Sequence, residues 1–172
     1  MITTGLPVTG PRAQLHTLAN TIPQYHTAAN IEKMGSGIPL TDADRWDWLT
    51  ALRDESMKRI TSGADGVVLT CSALKRKYRD VIRVAAYYDP RLLIHFIYLD
   101  ASEEVLLDRV TRRKGHYMGA NMVHSQFDIL ERPSTDERDV VSIDVSRTIE
   151  EVKHDALERV LHTMTEDEDH GS

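Results

Sequence analysis

Two clusters of cationic side chains carry most of the chemistry this sequence offers. Lys75-Arg76-Lys77 and Arg79 follow directly on the run Gly66-Val67-Val68-Leu69-Thr70-Cys71. Arg109, Arg112, Arg113 and Lys114 lead into Gly115-His116-Tyr117-Met118-Gly119. The apolar, β-branched run reads as a buried strand feeding a helix, with the Ser72 hydroxyl placed to cap the first turn. Such a helix end favours an anion, and Lys75 and Arg79, four residues apart, fall on one helical face. A carboxylate or polyanion suits that corner; the plainer reading is an ordinary α/β core with a solvated basic face. The second cluster is a basic, glycine-hinged loop suited to a flap over a phosphorylated ligand, with a solvated connection as its alternative.

Further candidates lie upstream. His26, Asn30, Glu32 and Lys33 crowd into a short helical segment closed by Gly35 and Gly37. Arg45 is a lone cation in the otherwise acidic first turn opened by Thr41, Asp42 and Asp44, against the local dipole preference. It is either surface decoration or an anion ligand. The window from Gly10 to Thr17, GPRAQLHT, keeps only the first Gly and last Thr of the phosphate-loop pattern G-x-x-x-x-G-K-[ST]. Leu15 replaces the Gly that lets backbone N–H groups close around phosphates, and His16 replaces the Lys that reaches the β/γ oxygens.

The chain of 172 residues fits one domain, residues 1–165, with an acidic, disordered tail over 166–172. A net charge of −6 argues against a general binder of nucleic acid or anionic membrane. One cysteine, Cys71, excludes an intrachain disulfide and reads as a core residue. No apolar run approaches the roughly 20 residues of a membrane span, so a cytoplasmic setting is expected.

The elements that must position these groups alternate. Leu15 to Ala19 reads as a brief helix before Pro23. Thr41 opens a helix with an apolar stripe of Trp46, Leu49, Leu52, Met57 and Ile60, its tryptophans read as core anchors. Leu93 to Leu99 is a near-continuous apolar strand, suggesting a parallel sheet covered on both faces. Ser102 caps the next helix, Asn121 to Glu131 forms another, and Val140 to Val145 is a third strand. The capping box Thr148 to Glu151 opens the last helix. The fold class is α/β: a three-layer parallel sheet with flanking helices, its N-terminal strand and helix region incomplete.

Four blocks in order resemble the gluconate kinases, in the nucleoside-monophosphate-kinase-like group of P-loop proteins. They are HTAANIEKMGSGIPLTDADRWDWL (26–49), CSALKRKYRDVIR (71–83), FIYL with RRKGHYM (96–99 and 112–118), and QFDILERP (126–133). The resemblance implies transfer of the γ-phosphoryl of ATP to the 6-hydroxyl of gluconate with Mg2+. It implies His26, Lys33, Arg45, Ser72 and Gln126 as substrate-binding residues. Lys75, Arg79 and Arg113 take catalytic roles on the sugar carboxylate or the transferring phosphoryl. Gly10, Thr17, Arg109, Lys114 and His116 serve the nucleotide, the last three with Arg113 as a lid; no residue is assigned to a metal. The implied partners are a small-molecule sugar acid and a nucleotide, neither nucleic acid nor membrane, with a homodimer left open.

The N-terminus departs from the family pattern. Pro23-Gln24-Tyr25 stands where an acidic segment is expected before His26, and the space from Thr17 to His26 is too short for a helix plus a strand. It reads as if an internal segment had been removed. Losing the loop Lys and the magnesium-organising carboxylate together predicts no measurable gluconate-dependent ATP turnover by this chain. The alternative to the kinase is a catalytically inactive, sugar-acid-binding pseudokinase.

Overall fold

The computed structural model describes residues 2–5, 15–18, 25–112 and 120–170. Five strands form one sheet: β1 (Ile2–Gly5), β2 (Leu15–Leu18), β3 (Gly66–Cys71), β4 (His95–Asp100) and β5 (Val140–Asp144), in the order β2-β3-β1-β4-β5. The helices are α1 (Ala28–Gly35), α2 (Asp42–Thr61), α3 (Arg76–Tyr88), α4 (Glu103–Arg112), α5 (Ala120–Asp128) and α6 (Ile149–His170).

The strands separate two apolar layers. Val67, Leu69 and Cys71 of β3 join Phe96 and Tyr98 of β4 against Trp48, Leu49 and Leu52 of α2 and Tyr78 and Ile82 of α3. The alternate β4 residue Ile97 faces the other way, with Ile143 and Val145, against Val105 and Leu106 of α4 and Val152, Ala156 and Val160 of α6. Burial on both faces explains the unbroken apolar reading of β4. Cys71 lies in this core, and burial pushes its thiol up to about 12.

Local signals hold several helix starts in place. Thr41 and Asp44 exchange the bonds of a capping box on α2, Thr41 N donating to Asp44 Oδ2 at 2.9 Å and Asp44 N to Thr41 Oγ1 at 3.3 Å. Ser102 Oγ accepts from Val105 N at 3.3 Å. At α6, Thr148 Oγ1 accepts from Glu151 N at 3.4 Å. The acidic stretch Glu166–Asp169, expected as a disordered tail, instead continues α6 to His170. A His162–Glu166 pair one turn apart, at 3.9 Å, supports that last part.

The N-terminal region differs from expectation in two ways. Leu15–Leu18 is a strand parallel to β3, not a helix. The rest of the sheet is parallel where β4 meets β5, but β1 runs antiparallel to both β3 and β4. Connection length explains the reversal. Only nine residues separate Gly5 from Leu15, and a parallel crossover takes a dozen or more. Reversing β1 puts Gly5 beside Val68 and His95, at the end of the sheet where Leu15 pairs with Gly66.

Candidate functional site

The C-terminal end of β3 is where an open α/β sheet presents its ligand site, and the loop 72–75 leaves from it toward α3. The sequence expectation for this corner is corrected at three points. Ser72 does not cap α3: the N-cap is Lys75, with extended backbone and no side-chain capping bond. The free N–H of Arg76 donates instead to Glu131 Oε2 at 2.8 Å, so a carboxylate from a distant segment already occupies the helix end.

Lys75 and Arg79 do not share a face either, because Lys75 stands outside the helix. Its Nζ donates to Asp42 Oδ1 at 2.8 Å. Asp42 also accepts from Lys77 Nζ and from the Tyr78 hydroxyl. These donors, Lys75 foremost, hold the Asp42 carboxyl well below the usual carboxylate range.

Arg79 is fully buried, and its guanidinium is engaged by other parts of the chain. Its Nε and Nη2 fork onto Glu137 at 2.7 and 2.6 Å, and its Nη1 donates to the carbonyls of Glu131 and Ala73 at 3.1 and 3.4 Å. Arg83 adds a bond to Glu137 at 2.7 Å. This network pins the loop 72–75 to the segment after α5.

The open chemistry lies next to that corner, on α2 and the segment before α1. His26 stacks on Trp48, ring centroids 4.6 Å apart and planes 15° apart. The Arg45 guanidinium lies over the Tyr78 ring, 5.6 Å from its centroid. His26 Nδ1, Arg45 Nε and Trp48 Nε1 are all buried without a hydrogen-bond partner among the described residues. Buried polar groups are nearly always satisfied, so these three neighbouring orphans make this cluster the candidate site. Burial, with the charge of Arg45 beside it, lowers the His26 pKa to about 4. The imidazole is therefore neutral near pH 7, with one nitrogen to donate and one to accept. Burial also lowers the Arg45 pKa, and among the described residues Arg45 forms no ion pair.

The remaining sequence candidates fall elsewhere. Lys33 donates to Asp44 Oδ1 at 2.7 Å, which helps bring that carboxyl down to about 2. Asn30 Nδ2 donates to the Asp44 carbonyl at 2.6 Å, tying α1 to the start of α2. Arg109 donates to the Val145 carbonyl at the end of β5 and is not directed toward His26 and Arg45. Gln126 is half-buried on α5. Thr17 is in β2, whereas Gly10, Arg113, Lys114 and His116 lie outside the described residues. Trp48, Tyr78 and Asp42 were missed as site residues. Trp48 read as a core anchor, which it also is; Tyr78 carried no reading of its own, and Asp42 read as a helix start.

Among the described residues no three His, Cys, Asp or Glu side chains converge to hold a metal ion, and Asp42 is saturated by lysines. No described helix is long and apolar enough to cross a membrane.

A three-layer α/β domain of the P-loop-kinase type, with a cluster of unpartnered buried polar atoms on His26, Arg45 and Trp48, is the class these features define. No family model matches the chain. It is 49% identical over 140 residues to a probable gluconokinase of Schizosaccharomyces pombe, covering 81% of this chain and 72% of that one. It is 41% identical to the thermosensitive gluconokinase of Escherichia coli, covering 79% and 70%. The crystal structure of a gluconokinase from Sinorhizobium meliloti superposes with a TM-score of 0.76 at 35% identity, over 92% of this chain and 83% of that one. The chain belongs to the gluconokinase family.

Proposed function

We propose that this chain carries the acceptor half of gluconokinase chemistry: it binds D-gluconate, whose 6-hydroxyl receives the γ-phosphoryl of ATP in the family reaction. The observation that carries this reading is the trio of orphaned atoms on His26, Arg45 and Trp48. A sugar acid matches all three. Its carboxylate meets the unpaired guanidinium, a charge-assisted bond. Its hydroxyls accept from the Trp48 indole N–H and exchange bonds with neutral His26, and the apolar Trp48 and Tyr78 surfaces exclude water.

On the donor side, two observations favour the second reading, a sugar-acid-binding pseudokinase. The phosphate-loop window lacks the Lys and the second Gly. Gly5, before the window, and Leu15, within it, both pair near the N-terminal end of β3, at the end away from Ser72 and Lys75. Phosphoryl transfer depends on positioning and on charge stabilisation over the phosphoryl oxygens, and losing such donors costs several kcal/mol of transition-state stabilisation. Gluconate-dependent ADP release is therefore expected below detection. Turnover comparable to an intact family member would overturn the loss of the donor half and establish the chain as a working kinase.

A further inference from the structure

Asp42 faces the proposed acceptor pocket and has no part in the reading above. Its Oδ1 accepts from Lys75 Nζ at 2.8 Å and from the Tyr78 hydroxyl, and its Oδ2 from Lys77 Nζ. Tyr78 joins this cluster to the pocket: Lys75 Nζ lies 5.7 Å from its ring centroid and the Arg45 guanidinium 5.6 Å. The Asp42 side chain keeps 36% of its exposure, so a ligand in the pocket meets it through little intervening protein.

We infer that Asp42 is a specificity-determining residue: by holding Lys75 and Lys77 in ion pairs it leaves Arg45 as the cation that reads the ligand, so the pocket takes a singly charged aldonic acid and holds the same sugar bearing a phosphate less tightly than it would without Asp42. Two ammonium groups that meet at Asp42, with a guanidinium over the Tyr78 ring, would otherwise make a phosphate site of ordinary type. With Asp42 in place, both ammoniums bond one carboxylate, which cancels one of their two positive charges and occupies donors a phosphate would otherwise take. Like charges at such separations discriminate between ligands more than they change overall affinity.

The inference rests on the reading that the pocket binds a sugar acid, and the experiment separates the two. Dissociation constants for D-gluconate and 6-phosphogluconate are measured by calorimetry on the full chain and on Asp42→Asn. Asparagine keeps the side-chain shape at the first position of α2 and leaves the Thr41–Asp44 box intact. The wild type should favour gluconate, and Asp42→Asn should tighten 6-phosphogluconate about tenfold while moving gluconate by less than about threefold. Lys77→Met, at a half-exposed position, should act in the opposite direction and weaken 6-phosphogluconate about threefold; it serves alone if Asp42→Asn does not fold. An unchanged ratio of the two constants in the folded variants overturns the role of Asp42. A wild type that binds neither sugar overturns the pocket reading, and the inference with it.

Discussion

Replacing Glu137 by Ala should be among the most destabilising single changes in this domain. The side chains of Arg79 and Glu137 are 0% and 1% exposed and meet in two parallel bonds of 2.6 and 2.7 Å. Removing the carboxylate strands a fully buried guanidinium with only two carbonyls for partners. Breaking a buried pair on one side costs about 3–5 kcal/mol. Arg83 loses little, since it keeps Asp139 and Asp80. Against a total of about 5–15 kcal/mol for a domain, the melting temperature should fall by about 10 °C, at roughly 2–4 °C per kcal/mol for a chain of this size. The double variant Arg79→Met/Glu137→Met should recover much of the loss, because matched apolar groups replace a buried pair at little cost. Urea unfolding followed by circular dichroism measures all three proteins. A Glu137→Ala variant within about 1 kcal/mol of wild type, or a double variant less stable than Glu137→Ala, refutes this account of the network. Arg79, then Arg83, lowers the Glu137 pKa from 4.5 to about 2. The folded value is depressed, so this contribution is full above pH 4.5 and is lost as pH falls through about 2.

Arg45→Met should abolish gluconate binding without lowering the melting temperature, since a buried cation lacking an ion pair contributes desolvation cost that only a ligand offsets; a thermal melt and a titration on one sample check both halves. With its pKa near 4, His26 stays neutral, and gluconate affinity should be flat from pH 6 to 8. A titration step near pH 6.5 would contradict its burial. Because the folded pKa of His26 lies below its ordinary value, its share of stability is present above pH 6.5 and is lost as pH falls through about 4, which pH-dependent melts detect.

Much of the scaffold could be read from local signals. The Thr41 and Thr148 caps and the apolar strands Gly66–Cys71 and Leu93–Leu99 are written in consecutive residues, and the structure places elements there. Partners far apart in the chain were not legible. Lys75 and Arg79 looked like one anion-binding face because helical spacing was assumed from Ser72 onward. Glu131 and Glu137, more than fifty residues away, cap the helix and hold Arg79. The direction of β1 was equally hidden, since four residues carry no periodicity that tells parallel from antiparallel; the length of the following link decides it. Of the site, His26 and Arg45 were named from sequence. Trp48 was named only as a core anchor, because its one polar atom becomes visible only when the structure leaves it unpartnered.

The central claim is that a sugar-acid pocket persists beside a lost nucleotide loop. Titration calorimetry of the folded chain with D-gluconate, in the absence of nucleotide, tests it most directly. One site per chain with saturable heat, abolished in Arg45→Met, is the predicted result. No heat from a sample that melts cooperatively would contradict it.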